Sequence, residues 1–143
     1  MRPTQLFPGL TKLGAITTPY GGDTTQEIGS PGVDIANKTG TPIPTTTKGV
    51  VTDVSYGHKQ GENNYGNYVI VTDPQGNKHR YSHLNRGYVQ IGQGVKAGEK
   101  IGEMGKSGAT YSPSGGDPTN LDYRIVDKYG KYRNPMTYLK KYL

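Results

Sequence analysis

The chain of 143 residues is long enough for one domain around one modest core and too short for two. Its 22 glycines, 12 tyrosines and 10 prolines stand against one phenylalanine and no tryptophan, so the apolar payload falls to Val, Ile, Leu and the tyrosine rings, a composition that favours a turn-rich β protein. The lack of cysteine excludes disulfides and thiolate metal sites, and the net charge of +6 comes from Lys and Arg scattered along the chain rather than gathered into a basic block.

The opening "MRPTQLFPGL" holds Arg2 but no apolar run of signal-peptide length, and no stretch is long and apolar enough to span a bilayer. The expectation is a chain neither inserted in a membrane nor exported by a standard signal. Residues 1–15 read as an irregular arm and residues 16–143 as the domain. "AITTPYGG" is a short β segment closing in a turn, "GVDIA" alternates as a half-buried strand does, and "NKTGTPI" after it reads as a turn. "GVVTDVSYG", "NYGNYVIVTD" and "NKHRYSHL" are rich in β-branched and aromatic residues, and "DPQGN" supplies Pro and Gly for the hairpin between the last two. "YVQIGQGVKAGEKIGEMG" is a run of short β segments punctuated by glycine, "KSGATYSPSGGDPTN" a long Gly and Ser loop at the rim of a cleft, and "LDYRIVD" a strand. Only "NPMTYLKKYL" has room for a turn or two of helix, with Asn134 as cap and Pro135 at the first helical position. The expected fold is all-β, a single antiparallel sheet, layered or barrel-like, with no internal repeat.

Alternation puts Ser30, Gly32 and Asp34 on one side of a strand, Asn120, Asp122 and Arg124 on one side of another, and His79, Tyr81 and His83 together on a third. Three strands can thus present Asp34, His83 and Asp122 to one cleft. Taken singly, each residue has a plainer reading: Asp34 as a strand-end residue and His83 as a strand histidine bonded to backbone. His58 and His79 are placed at the surface. Ser107 and Ser112 lack a GxSxG setting and a partner pattern for nucleophilic work. Tyr123, Tyr129, Tyr132, Tyr138 and Tyr142 are assigned to core and edge packing ahead of a sugar-stacking platform.

In order, "ITTPYG", "GVDIANKTGTPI", "KGVVTDV", "YGNYVIV", "RYSHLN", "VQIGQGVKAGEKIGEMGKSG" and "NPMTYL" resemble the successive signatures of the lysostaphin or LytM-type zinc endopeptidases of peptidoglycan, from about Ile16 to Leu139. In that family, zinc is held by a histidine two residues before the glycine of the "GVDIA" segment, by the aspartate of that segment, and by the second histidine of a His-any-His strand. The first histidine of that strand and the histidine of "YSHL" flank the scissile bond. Carried over by position, the resemblance implies Ser30, Asp34 and Asp122 at the metal positions and His83 and Asn120 at the catalytic ones. Only Asp34 and His83 keep the family's residue type.

A catalytic zinc takes three protein ligands and an open position for water, and imidazole holds it well. Ser30 offers a neutral hydroxyl, while two carboxylates and a hydroxyl suit Mg²⁺ or Ca²⁺ better, and neither ion lowers the pKa of bound water to about 7 as zinc does. Asn120 cannot carry a proton in either direction. The expectation is that the family's zinc is lost and no other cofactor is required. Asp34 and Asp122 then face each other as like charges, and Arg124, on the strand face of Asp122, is the candidate cation substitute, its guanidinium forking onto one or both carboxylates.

Relatives of this family occur on bacteriophage tails, and degenerate ones activate wall amidases. The reading adopted is therefore a catalytically inactive, peptidase-like domain that serves as a structural or wall-contacting component of a phage tail or other virion. Its expected partners are other virion subunits and peptidoglycan, without membrane insertion or specific nucleic acid, and its expected location is the virion or the outer face of the wall. Three alternatives remain: an active hydrolase with an altered metal site using Asp34, Asp122 and His83, an activator of wall amidases, and a basic nucleic-acid-binding module supported by the net charge alone.

Overall fold

A computed structural model of the chain describes residues 13–22, 29–110, 112 and 115–143. Among the described residues ten strands run in chain order as β1 (Ala15–Thr18), β2 (Val33–Ala36), β3 (Pro42–Pro44), β4 (Gly49–Ser55), β5 (Asn67–Thr72), β6 (Lys78–Gly87), β7 (Gly94–Val95), β8 (Lys100–Met104), β9 (Asn120–Val126) and β10 (Tyr132–Arg133). They join in one sheet of order β1-β2-β9-β6-β5-β4-β7, with β10 added beside β9 and β8 linking β6 to β3. Every pairing is antiparallel. The fold is all-β.

Alternating apolar residues make one face of the sheet the core. Val33 and Ile35 on β2, Val69 and Val71 on β5, and Leu121, Tyr123 and Ile125 on β9 are all buried, with Leu84, Ile101 and Met104 beside them. The "NKTGTPI" segment, read as a turn, contains β3, which pairs with β8 from Pro42 to Pro44. Prolines are tolerated because β3 is an edge strand, where a missing N–H breaks no second ladder. The C-terminal helix α1 (Met136–Leu139) begins one residue later than expected, but Pro135 already has helical torsions and Asn134 Oδ1 accepts the Met136 N–H at 3.0 Å. A short 3₁₀ turn at Lys140–Tyr142 follows, and the Tyr142 carbonyl accepts the Leu13 N–H at 2.6 Å, tying the two ends of the described chain together. Most of the expected N-terminal arm, and residues 111, 113 and 114 of the Gly and Ser loop, lie outside the described residues.

His79 corrects the sequence reading: it is not at the surface but fully buried on the core side of β6. Its Nε2 meets Asp73 Oδ2 at 3.0 Å and its Nδ1 meets the Tyr123 hydroxyl at 2.7 Å. Burial holds the imidazole below its usual pKa, against the pull of Asp73, so the neutral ring donates from Nε2 and accepts at Nδ1. Thr46 Oγ1 lies 2.6 Å from the Tyr123 hydroxyl and 2.9 Å from that of Tyr81, so the polar groups of this otherwise apolar face satisfy one another. Tyr123 is therefore core, whereas Tyr129 and Tyr132 are exposed.

His83 does not share a side with His79 and Tyr81. Its φ of 65° lies in the left-handed region, unusual for a residue other than glycine. It coincides with a register shift in which Asn67 pairs with Leu84 but Val69 with Tyr81. Two residues of β6, Ser82 and His83, thus stand between the core residues Tyr81 and Leu84, and the alternation that predicted a common face fails at this bulge.

Candidate functional site

The face of β2, β9 and β6 turned away from the core carries the site, and register brings its residues together. Asp34 of β2 lies directly opposite Asp122 of β9, and Asp122 lies opposite Ser82 of β6; Arg124 lies opposite Arg80, and Asn120 opposite Ala36. Two like charges directly across a strand pair repel. Arg124 offsets this: its Nε donates to Asp122 Oδ1 and its Nη2 to Oδ2, each at 2.8 Å. Both partners are buried, Asp122 at 4% and Arg124 at 6% exposure, so this two-pronged pair lies in a poorly screened environment.

The backbone makes room for the pair at Gly32. A Cβ there would fall 2.5 Å from Asp122 Oδ1 and 2.9 Å from Arg124 Cγ, so only glycine leaves the carboxylate and guanidinium their space. Ser30 is buried, and its Oγ accepts the Gly32 N–H at 3.2 Å, fixing the loop that leads into β2. Asn120 turns its amide back on its own chain, donating to the Pro118 carbonyl at 2.8 Å.

His83 is buried, and its Nδ1 donates to the Ser107 carbonyl at 2.8 Å. Burial pushes its pKa below the usual imidazole value. Asp122 and the Ser107 carbonyl pull it back up, and Arg124 and Arg80 push it down again. The ring is thus a neutral imidazole with Nε2 as its remaining acceptor. The Ser107 hydroxyl, far from acting as a nucleophile, donates to the Leu84 carbonyl at 2.7 Å and accepts the Asn67 N–H at 3.0 Å. It ties β6 to the start of β5.

Tyr65, Arg80 and Ser82 were not singled out from the sequence. The Arg80 guanidinium lies over the Tyr65 ring, 3.6 Å from its centroid, and that of Arg124 is 5.4 Å from the same ring. Nε and Nη2 of Arg80 and Oγ of Ser82 are buried and have no hydrogen-bond partner among the described residues. The signal was available: in "KHRYSHL" the residues Arg80 and Ser82 share the face opposite His79 and Tyr81. Assigning His83 to the wrong face hid it.

The positions that resemble zinc ligands do not fit zinc. Ser30 supplies a hydroxyl bonded to backbone, and both oxygens of Asp122 are held by Arg124. Among the described residues no group of three or more His, Cys, Asp or Glu side chains is placed to hold a metal ion. The fork takes one lone pair on each Asp122 oxygen, so a metal ion there would have to use the remaining ones with a guanidinium cation beside it, whose charge opposes a second cation.

The sequence model of Peptidase family M23 matches residues 29–135. The chain belongs to Peptidase family M23. This M23 domain is 33% identical over 106 residues to Peptidoglycan DD-endopeptidase ShyC of Vibrio cholerae, covering 74% of this chain and 22% of that protein. It is 34% identical over 114 residues to Murein hydrolase activator NlpD of Escherichia coli, covering 80% of this chain and 27% of that one. The crystal structure of the catalytic domain of prophage-encoded M23 protein EnpA from Enterococcus faecalis, as its A109H mutant, superposes with a TM-score of 0.70. The two are 28% identical, and the match covers 94% of this chain and 98% of that domain. The chain spans 22% and 27% of the length of these two curated relatives.

Proposed function

We propose that this M23 domain does not hydrolyse peptidoglycan and instead works as a structural or wall-contacting component of a phage tail. The observation that carries the proposal is the Arg124 fork on Asp122, two bonds of 2.8 Å at a position where family resemblance expects a zinc-binding imidazole. Family chemistry needs a metal-activated water and groups able to move protons. Here Asn120 is an amide committed to the Pro118 carbonyl, and His83 is the one imidazole at the cleft among the described residues. The similarity to a prophage-encoded M23 protein over nearly the whole of both chains supports a phage setting.

A second reading, an activator of wall hydrolases, is favoured by the match to proteins named for that role, 34% identical over 80% of this chain. An active hydrolase built on Asp34, Asp122 and His83 would have to hold its metal ion beside the Arg124 guanidinium.

The deciding experiment incubates the purified chain with peptidoglycan and follows soluble peptide release, wall sedimentation and stimulation of added wall amidases. The proposal expects sedimentation with the wall, no released peptides and no stimulation. Peptide release that is lost in Asp34→Ala would establish a hydrolase instead, and amidase stimulation would establish the activator. Recovery of the chain from intact virions tests the tail placement.

A further inference from the structure

We infer that the cleft of this M23 domain is a carboxylate-binding site whose principal donor is Arg80. The inference deepens the proposed function, since it takes the cleft to face wall peptide.

Donors without acceptors point to the ligand. Of the two arginines opposite each other on β6 and β9, Arg124 has Asp122, while Nε and Nη2 of Arg80 have no partner among the described residues. Ser82, two residues along β6 and opposite Asp122, is fully buried with its hydroxyl likewise unmatched. Buried polar groups are nearly always satisfied, so a guanidinium edge and a hydroxyl unmatched on one face point to an acceptor from outside the chain. The arrangement selects a planar, two-oxygen, negatively charged group: a carboxylate matches a guanidinium with two parallel bonds.

The contact with Tyr65 prepares that geometry. Stacking at 3.6 Å fixes the plane of the Arg80 guanidinium and leaves its N–H groups pointing within the plane, with Nε and Nη2 buried. Arg80 is half-buried rather than enclosed, so the ligand approaches from the open side of the cleft. A small rotation over the ring brings the shielded N–H groups to it, because stacking constrains the plane and not the direction of the fork. Tyr65 is itself well anchored. Its carbonyl accepts the His83 N–H at 2.9 Å. The neighbouring Gly66, with φ of 62°, lies so close to the 107–108 backbone that an added Cβ would fall 2.4 Å from the Ser107 carbonyl carbon. Beside the Asp34–Asp122 pair, the described residues offer a cationic donor without an acceptor, and the free α-carboxylate that ends a peptidoglycan stem peptide is the matching group.

Calorimetric titration of the full chain with N-acetyl-D-alanyl-D-alanine, with its C-terminal amide and with inorganic phosphate tests this. The free acid should bind saturably, and either amidation of the peptide or Arg80→Met should weaken binding by about tenfold or more, the loss expected for a charge-assisted hydrogen-bonded pair. Arg80→Lys should recover only part of it, because an ammonium lacks the planar fork. Thermal unfolding of Arg80→Met should occur at or above the wild-type temperature, which separates lost binding from lost fold. Equal binding of acid and amide, undiminished binding by Arg80→Met, phosphate binding as tight as the peptide, or no binding at all would overturn the inference. Mass spectrometry of the titrated peptide reads the other proposal separately: cleavage would sink the non-hydrolytic reading and leave the carboxylate site standing.

Discussion

Asp122 takes both prongs of one guanidinium while lying directly across from Asp34, and each member of that pair depends on the other. Removing one partner of a buried ion pair leaves the other charged and desolvated, so Asp122→Ala and Arg124→Ala should each cost about 3 kcal/mol or more. The double variant should lose clearly less than the sum, because no stranded charge remains. Urea unfolding of the four proteins checks this, and additive losses would show that the fork is incidental. Gly32→Ala tests the same pair from beneath. Its Cβ would fall 2.5 Å from Asp122 Oδ1, so the carboxylate has to move, and overpacking of this kind costs about 1–3 kcal/mol. A fall in the urea midpoint is expected, and an unchanged midpoint would mean that Gly32 is not needed there.

Strand β6 works on both faces, with His79 and Tyr81 in the core and Arg80 and Ser82 at the cleft. The core side gives a pH dependence of definite sign. His79 and His83 both have pKa values lowered from 6.5, chiefly by burial. The unfolded chain therefore takes up protons below about pH 6.5 that the native imidazoles refuse, so their contribution to stability is complete above that pH and is lost as pH falls. For Asp73, burial pushes the carboxyl up, but hydrogen bonds from His79 and Asn77 outweigh it and leave the pKa below 3.8. Its contribution is present above that value and is lost as pH falls further. The urea midpoint should drop between about pH 8 and pH 5.5, and a flat profile would contradict the assignment of neutral buried imidazoles. Tyr123→Phe should cost about 1–2 kcal/mol by leaving His79 Nδ1 and Thr46 Oγ1 without their shared hydroxyl. The alternation of "GVDIA" and "LDYRIV" was enough to read β2 and β9 and to put Asp122 and Arg124 on one face, whereas the meeting of that face with Asp34 is set by the register of β2 on β9, which periodicity does not record. The short proline-bounded β3 was hidden because its pairing with β8 comes from residues about 60 positions away, a long-range contact that no local pattern records. His83 was misplaced for a different reason: a single residue at φ 65° shifts the period of β6, and nothing in "YSHL" marks it.

At the scale of the whole molecule, the chain has the M23 sheet, with an ion pair at Asp122 and Arg124 where resemblance expects zinc-binding groups. The core side of β2 and β9 is independent of the cleft chemistry, since Val33, Ile35, Leu121 and Tyr123 bury themselves whatever stands on the other face. The fold can therefore accept an ion pair where resemblance expects zinc, and by the same logic it should accept the exchange back. The variant Ser30→His, Asn120→His, Asp122→His, Arg124→Glu should fold and gain zinc affinity, read by metal analysis after dialysis. The most direct test of the account is the zinc content of the unmodified chain, equilibrated with excess zinc, freed of loose metal by gel filtration and weighed by native mass spectrometry. The Asp122–Arg124 pair predicts a metal-free mass throughout, and a protein that holds one zinc per chain through the column would contradict it.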